Sequence, residues 1–306
     1  MTSLLDVREL RVTYRAGGGD VPAVRGVDLA LDPGDILGLA GESGSGKSTV
    51  ALALLRLLPA TADITGAVLL EGEDVLGMRW GRLRAVRWAG ASIVFQGAMH
   101  SLNPVRRIGD QIAEPMTVHG TVPLKDVPAR VEALLEQVGL PPSRARDYPH
   151  QLSGGQRQRV MIAMALACGP RLIVADEATT ALDVMIQAQI LALLRRLVAE
   201  RDIGMLMISH DLSVLAATCD RVAIMYAGRI VEQGPAREVV HEPAHPYAGA
   251  LSAAFPRIGD PASRLAPRGL PGDPPDPADP PTGCVFRPRC AGAEDVCSTV
   301  DPPLWE

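Results

Sequence analysis

Residues 41–49 read Gly-Glu-Ser-Gly-Ser-Gly-Lys-Ser-Thr, a spacing of glycines, hydroxyls and one lysine suited to holding phosphate. Gly41, Gly44 and Gly46, with Ser43 and Ser45 between them, let backbone N–H groups turn inward around anionic oxygens. A helix that starts at the end of this loop adds the positive end of its dipole. Lys47 would reach the β- and γ-phosphates, and the Ser48 hydroxyl, with Thr49 beside it, would ligate Mg²⁺. The lysine is a pointed choice. Only Lys47 and Lys125 are lysines, and every other member of the Lys+Arg count of 30 is arginine. A compact ammonium sits between phosphate oxygens where a planar guanidinium fits poorly.

Two further groups extend this chemistry. Leu172-Ile-Val-Ala-Asp176 is an apolar run ending in acid, followed by Glu177. Alone it would be an ordinary strand ending in a solvated acid pair. Downstream of a phosphate loop, Asp176 is expected to hold Mg²⁺ and Glu177 to polarise an attacking water as general base. Leu152-Ser153-Gly154-Gly155-Gln156 opens a helix. There a hydroxyl and backbone N–H groups face outward at a positive dipole end, a second anion site in the same chain. Alone it would be a plain N-cap with a glycine turn.

The elements needed to position these groups are present. Residues 35–40 read as a buried strand running into the loop, and helical spacing follows from Ser48 to Leu58. Strands are expected at 3–13, 92–96, 172–176 and 204–209, with a hairpin at 221–226 and 229–233 around Ala227-Gly228. Helical patterns cover Ile108 to Leu140, Ser153 to Ala167 and Val184 to Glu200. The alternation predicts an α/β fold with a mainly parallel sheet covered on both sides. Residues 257–282, crowded with Pro, Gly and Asp, predict an extended linker before a short cysteine-bearing tail. No internal repeat is visible, so a single cassette is expected.

Composition narrows the class. The chain has 306 residues, 47% of them hydrophobic and 21% charged, and a net charge of −5. A packed core follows, and the acidic balance argues against a nucleic-acid partner. The longest apolar stretch, around Val160 to Pro170, is too short to cross a bilayer. The N-terminus carries an acid and no long apolar segment, so no secretory signal is expected. Five cysteines, an odd number, in a chain without a signal argue against a disulfide framework.

Taken together and in this order, these motifs resemble the ABC transporter ATPases over nearly the whole chain. The resemblance implies a P-loop NTPase core (1–256) with an inserted helical subdomain at about 97–168 carrying Ser153, Gly154 and Gly155. It also implies a 257–306 region made of the Pro-rich linker and the cysteine tail. Gln96 in Val-Phe-Gln matches the family's Q-loop glutamine, which touches Mg²⁺ and the attacking water. Thr180-Ala181-Leu182-Asp183 matches its D-loop and His210 in Ile-Ser-His-Asp its switch histidine. Tyr14 stands where the family stacks an aromatic ring on adenine. Ala178 and Gly97 depart from the proline and aspartate usual at those places. The implied substrate is ATP and the implied metal Mg²⁺. One chain would complete no catalytic site, because the signature helix of a second ATPase covers each loop. A related ATPase is the favoured partner, and a second copy of this chain is the other choice.

A narrower resemblance points to the dipeptide/oligopeptide importer branch, which also handles nickel and other small solutes. Ser101-Leu-Asn-Pro104, Tyr148-Pro-His-Gln151, His245-Pro-Tyr247 and Gly283-Cys-Val-Phe-Arg-Pro-Arg-Cys290 carry it. It implies work at the cytoplasmic face of the membrane with two transmembrane permease subunits and, indirectly, an extracytoplasmic solute-binding protein. Exporter motors, non-catalytic subunits and ABC ATPases that act on nucleic acid or ribosomes are the rivals. Some members of the branch hold an iron–sulfur cluster on four tail cysteines. Here Cys284, Cys290 and Cys297 supply three up to Glu306, one short of the usual thiolate set of a [4Fe–4S] cubane. A cluster and a free cysteine tail both stay open.

Overall fold

The structure, a computed structural model, describes residues 3–17, 19–95, 101–179, 182–254 and 269–304. Its strands are β1 (Leu5–Ala16), β2 (Gly19–Leu31), β3 (Ile36–Ala40), β4 (Ala62–Leu70), β5 (Glu73–Asp74), β6 (Ala91–Val94), β7 (Leu172–Asp176), β8 (Gly204–Ile208), β9 (Arg221–Tyr226) and β10 (Arg229–Pro235). Its helices are α1 (Lys47–Ala53), α2 (Trp80–Ala89), α3 (Ile108–His119), α4 (Val127–Gln137), α5 (Gly154–Ala165), α6 (Val184–Arg201), α7 (Leu212–Thr218), α8 (Ala236–His241) and α9 (Pro246–Ala254). The chain divides into two compact units. One, the loop unit, comprises residues 5–30, 36–76 and 207–306; the other, the helical unit, comprises 1–4, 31–35 and 77–206.

In the loop unit, β3 is buried along its whole length and pairs in parallel with β9, Leu37 opposite Arg221 and Ala40 opposite Ile224. A continuous apolar run is what a strand covered on both faces requires. β9 turns into β10 through Ala227 and Gly228, with Tyr226 opposite Arg229. Both turn residues have positive φ, 44° and 83°, as a type I′ hairpin demands. The same unit holds a four-stranded sheet in the order β2-β1-β4-β5, in which β1 and β4 are antiparallel. This antiparallel sheet was not expected and stands beside the parallel pairing of β3 with β9 that was. Pro22 and Gly26 in β2 and Gly66 in β4 interrupt the alternation that signals a strand. Pro22 is tolerated because β2 lies at the sheet's edge. Helix α1 is also shorter than expected and ends at Ala53. Arg56 adopts φ 50°, and the Leu57 N–H donates to the Leu52 carbonyl at 2.8 Å, a left-handed reversal that closes the helix.

In the helical unit, β6 and β7 are parallel, Ala91 opposite Leu172 and Val94 opposite Ala175. The single helical stretch expected over 108–140 is two helices. Gly120 at φ 62° caps α3, and Pro128 sits in the first turn of α4, where a missing N–H does no harm. Helix α5 follows the Ser153 turn and α6 the Asp183 turn.

The described part of the C-terminal region, 269–304, belongs to the loop unit. It is irregular apart from short 3₁₀ turns at Arg287–Arg289 and Asp295–Ser298. Residues 257–268 of the expected linker lie outside the described residues. Among the described residues no helix is long and apolar enough to cross a membrane.

Candidate nucleotide site

The phosphate loop leaves β3 and is shaped by what it must avoid. Gly41 has φ 151°, and a Cβ there would run into the Met225 carbonyl. Gly46 has φ 105°, and a Cβ there would meet the Ala23 carbonyl. The Gly228 N–H donates to the Ser45 carbonyl at 3.0 Å, so the β9–β10 turn braces the loop. Gly44 differs: its φ is 79°, but a Cβ would meet nothing within 4 Å. It lines, with Tyr14, Ser43 and Ser45, a cavity of about 220 Å³.

Lys47 is buried at 7% exposure, the first residue of α1. Its Nζ donates to the carbonyls of Gly41 at 2.8 Å and Glu42 at 2.7 Å, and to Ser45 Oγ at 3.2 Å. An ammonium held inside its own loop by carbonyls is poised to exchange them for phosphate oxygens. Ser48 is exposed beside it. The Tyr14 hydroxyl and Thr49 Oγ1 lie 3.3 Å apart, which ties the expected adenine-stacking ring to the start of α1. The open face at Gly44, the inward ammonium and the exposed Ser48 hydroxyl fit a nucleoside triphosphate with its magnesium ion.

His210, in the loop unit, is exposed between two anchors. The Ser209 N–H donates to the Leu39 carbonyl at 3.3 Å, and Asp211 caps α7 by accepting from the Ser213 N–H at 2.9 Å. The histidine is thus set by β3 on one side and a helix start on the other.

In the helical unit, Asp176 ends β7 at 9% exposure. Glu177 follows with φ 48°, a left-handed conformation that a non-glycine residue adopts at about 1–3 kcal/mol of local strain. Such strain concentrates at functional positions. Ser153 caps α5: its Oγ accepts from the Gln156 N–H at 3.3 Å, and Gln156 Oε1 accepts from the Ser153 N–H at 3.0 Å. This is the reciprocal capping box. Gly155 is fixed by packing as well, since a Cβ would come within 2.5 Å of Ile186 Cγ2, whereas one at Gly154 would make only ordinary contact with Leu182. Asp183 caps α6 by accepting from the Ile186 N–H at 2.9 Å, a local role beyond its D-loop match. Gln96, Gly97, Thr180 and Ala181 lie outside the described residues.

Cys284, Cys290 and Cys297 form no disulfide and line one cavity of about 480 Å³. Among the described residues, no group of three or more His, Cys, Asp or Glu is gathered to hold a metal. Cys290 closes one 3₁₀ turn and Cys297 sits inside the next.

Residue-by-residue reading had passed over a cluster beside the loop. Arg289, 8% exposed, donates from both terminal nitrogens to the Glu42 carboxylate, at 2.7 and 3.0 Å. The Tyr247 hydroxyl accepts from the Glu42 N–H at 2.9 Å. Phe286 packs edge-on against Tyr226 and Tyr247, with ring centroids 5.3 Å away in each case. The hydrogen bond to Glu42 raises the Arg289 pKa above its ordinary value, and burial raises that of Tyr247. The available signal was a lone carboxylate inside an anion-binding loop, which calls for a cation.

Comparison with known proteins agrees with this geometry. A family profile described as ABC transporter matches residues 24–180, and one described as oligopeptide/dipeptide transporter, C-terminal region, matches 231–297. The oligopeptide transport ATP-binding protein OppD of Escherichia coli K12 is 44% identical over 306 residues, covering 99% of this chain and 90% of the relative. A peptide import ATP-binding protein of Brucella melitensis is 46% identical over 316 residues, covering 98% and 93%. Among solved structures, the dimeric ATP-binding cassette MJ0796 in a post-hydrolysis state bound to ADP and Pi matches with TM-score 0.67 and 28% identity, covering 76% of this chain and 99% of that one. CbiO1 of Clostridium perfringens, part of an ABC transporter complex, matches with TM-score 0.67 and 28% identity, covering 79% and 93%. The chain belongs to the ABC transporter ATP-binding proteins, in the branch that carries the oligopeptide/dipeptide transporter C-terminal region. It is an ATP-hydrolysing subunit with the α/β P-loop cassette fold, and it uses ATP and Mg²⁺.

Proposed function

We propose that this chain energises the uptake of di- and oligopeptides, docked at the cytoplasmic face of a membrane on two separate permease subunits. Residues 1–256 form the nucleotide-binding domain, with its helical subdomain at about 97–168, and 257–306 form the linker and tail. Lys47 holds the β- and γ-phosphates within the Gly41–Thr49 loop, and Tyr14 stacks on the base. Ser48, Asp176 and Gln96 hold Mg²⁺, which, when bound, neutralises charge on the transferring phosphoryl group. Glu177 takes the proton of the attacking water, and His210 orients the γ-phosphate. Ser153, Gly154 and Gly155 present N–H groups and a hydroxyl to nucleotide held by a second ATPase, with Asp183 at the same junction. A related ATPase is the favoured partner. ATP then closes the pair because each nucleotide contacts both members, and hydrolysis removes that bridge. An extracytoplasmic binding protein delivers the cargo. A [4Fe–4S] cluster on the tail is left out of this scheme.

The observation that carries the reading is one chain holding both a braced phosphate loop and the oligopeptide-transport C-terminal region, which also matches relatives named for peptide import. The test is reconstitution with its permeases, paired ATPase and binding protein in vesicles. ATP-dependent accumulation of labelled oligopeptide is expected. Intact ATP hydrolysis with uptake of a nickel chelate but no peptide would move the chain to the other cargo of its branch.

A further inference from the structure

Arg289 of the C-terminal tail holds the side chain of a phosphate-loop residue whose backbone is held by other parts of the unit. Glu42 follows the first glycine of the loop. Its N–H donates to the Tyr247 hydroxyl at 2.9 Å and its carbonyl accepts from Lys47 Nζ at 2.7 Å. Its carboxylate accepts both arms of Arg289. Every polar group of this residue is therefore committed. Arg289 is committed too. Its Nε donates to the Pro271 carbonyl at 2.8 Å, its NH1 lies 3.4 Å from the Tyr226 hydroxyl, and its guanidinium sits 5.8 Å from the centre of the Tyr226 ring. The tail is anchored elsewhere by the Arg229–Asp301 ion pair. Pro274, Pro275 and Pro277 line the same cavity as Tyr14 and Gly44.

A carboxylate inside a phosphate cradle is electrostatically wrong unless it is neutralised. Its field repels the triphosphate, and a mobile side chain could compete for Lys47. A bidentate guanidinium removes both problems, and a single ammonium would not fix the carboxylate plane. We infer that Arg289 is a positioning residue of the nucleotide site, neutralising and holding Glu42 so that the loop is shaped and charged to receive phosphate. The inference rests on the nucleotide reading of the Gly41–Thr49 loop. It gives the C-terminal tail a task in ATP binding that is separate from its thiols.

The test is displacement of a fluorescent nucleotide from the full chain by ATP and by adenosine, which carries no phosphates. Arg289→Met should weaken ATP about 10- to 100-fold, the range for losing one charge-assisted pair, with adenosine unchanged. Arg289→Lys should fall between Arg289→Met and wild type. Adding Glu42→Gln to Arg289→Met should bring ATP affinity back to within about threefold of wild type, because the uncompensated charge is gone. Should Arg289→Met fail to fold, Arg289→Lys and the double variant still carry the comparison. Equal ATP affinity in folded Arg289→Met and wild type would overturn the inference. So would a parallel loss of ATP and adenosine, or a double variant no better than the single. A wild-type chain that binds no ATP would refute the nucleotide reading itself, a result separable from all of these.

Discussion

Adding one methyl group at Gly41 and at Gly44 should produce opposite failures. At Gly41 the backbone has φ 151° and the new Cβ meets the Met225 carbonyl, main chain of β9 that cannot swing aside. Conformational strain of about 1–3 kcal/mol and overpacking of about 1–3 kcal/mol give roughly 2–6 kcal/mol of lost stability. That is a large share of the roughly 5–15 kcal/mol that holds a domain together. At Gly44, φ is 79° and the methyl meets nothing, so only the left-handed penalty of about 1–2 kcal/mol applies. The methyl then stands in the cavity beside Tyr14 and Ser43. Gly44→Ala should therefore stay folded and lose ATP affinity by about tenfold or more, at 1.4 kcal/mol per tenfold. Gly41→Ala should unfold at clearly lower urea. Urea melts followed by circular dichroism, paired with ATP titration, read both quantities. Urea midpoints that coincide for the two variants would refute the close approach at Gly41. Wild-type ATP affinity in Gly44→Ala would show that the open face is not where the phosphates lie.

Lys47→Ala should weaken ATP binding about 10- to 100-fold, as expected for losing a charged hydrogen-bonding group; calorimetric titration with unchanged affinity would contradict the inward ammonium. Glu177→Gln should keep ATP binding and lose about 10²–10⁴ in turnover, measured in the reconstituted assembly. Turnover at the wild-type rate would remove Glu177 as the base. His245 gives a pH dependence. Burial lowers its pKa, with Glu232 opposing, and its Nδ1 accepts the Tyr247 N–H at 3.0 Å, a bond the neutral ring makes. The unfolded chain then binds the extra proton first, so stability falls as pH drops below about 6.5 toward the depressed folded value. His245→Gln should flatten that fall in urea melts, and identical pH slopes in the two proteins would exclude the histidine as its source.

Much of this site was legible in the sequence because its signals are local. β7 spans 172–176 as read, since four apolar residues closed by an acid have few other uses in an α/β fold. The loop, the Ser153 turn and the β9–β10 hairpin are also short-range patterns. What escaped depends on distance or on broken periodicity. β2 carries Pro22 and Gly26, so its alternation is masked, and its existence depends on β1 lying beside it. The break between α3 and α4 hinges on one left-handed glycine within an apparently continuous apolar pattern. The Glu42–Arg289 pair joins residues 247 apart, and no window along the chain contains both. The segment around Arg289 drew attention for its cysteines, while its arginine makes the contact.

That separation has a consequence for biosynthesis. Arg289 follows Glu42 by 247 residues, so on the ribosome Glu42 waits for its counter-ion until that whole stretch has been made. At about 5–20 residues per second the delay is roughly 10–50 s. The nascent N-terminal strands must spend that interval with a bare carboxylate in a half-made anion pocket. A transcript cut short between codons 211 and 289 would release a cassette that has every recognised ATPase motif and lacks the residue that balances its charge.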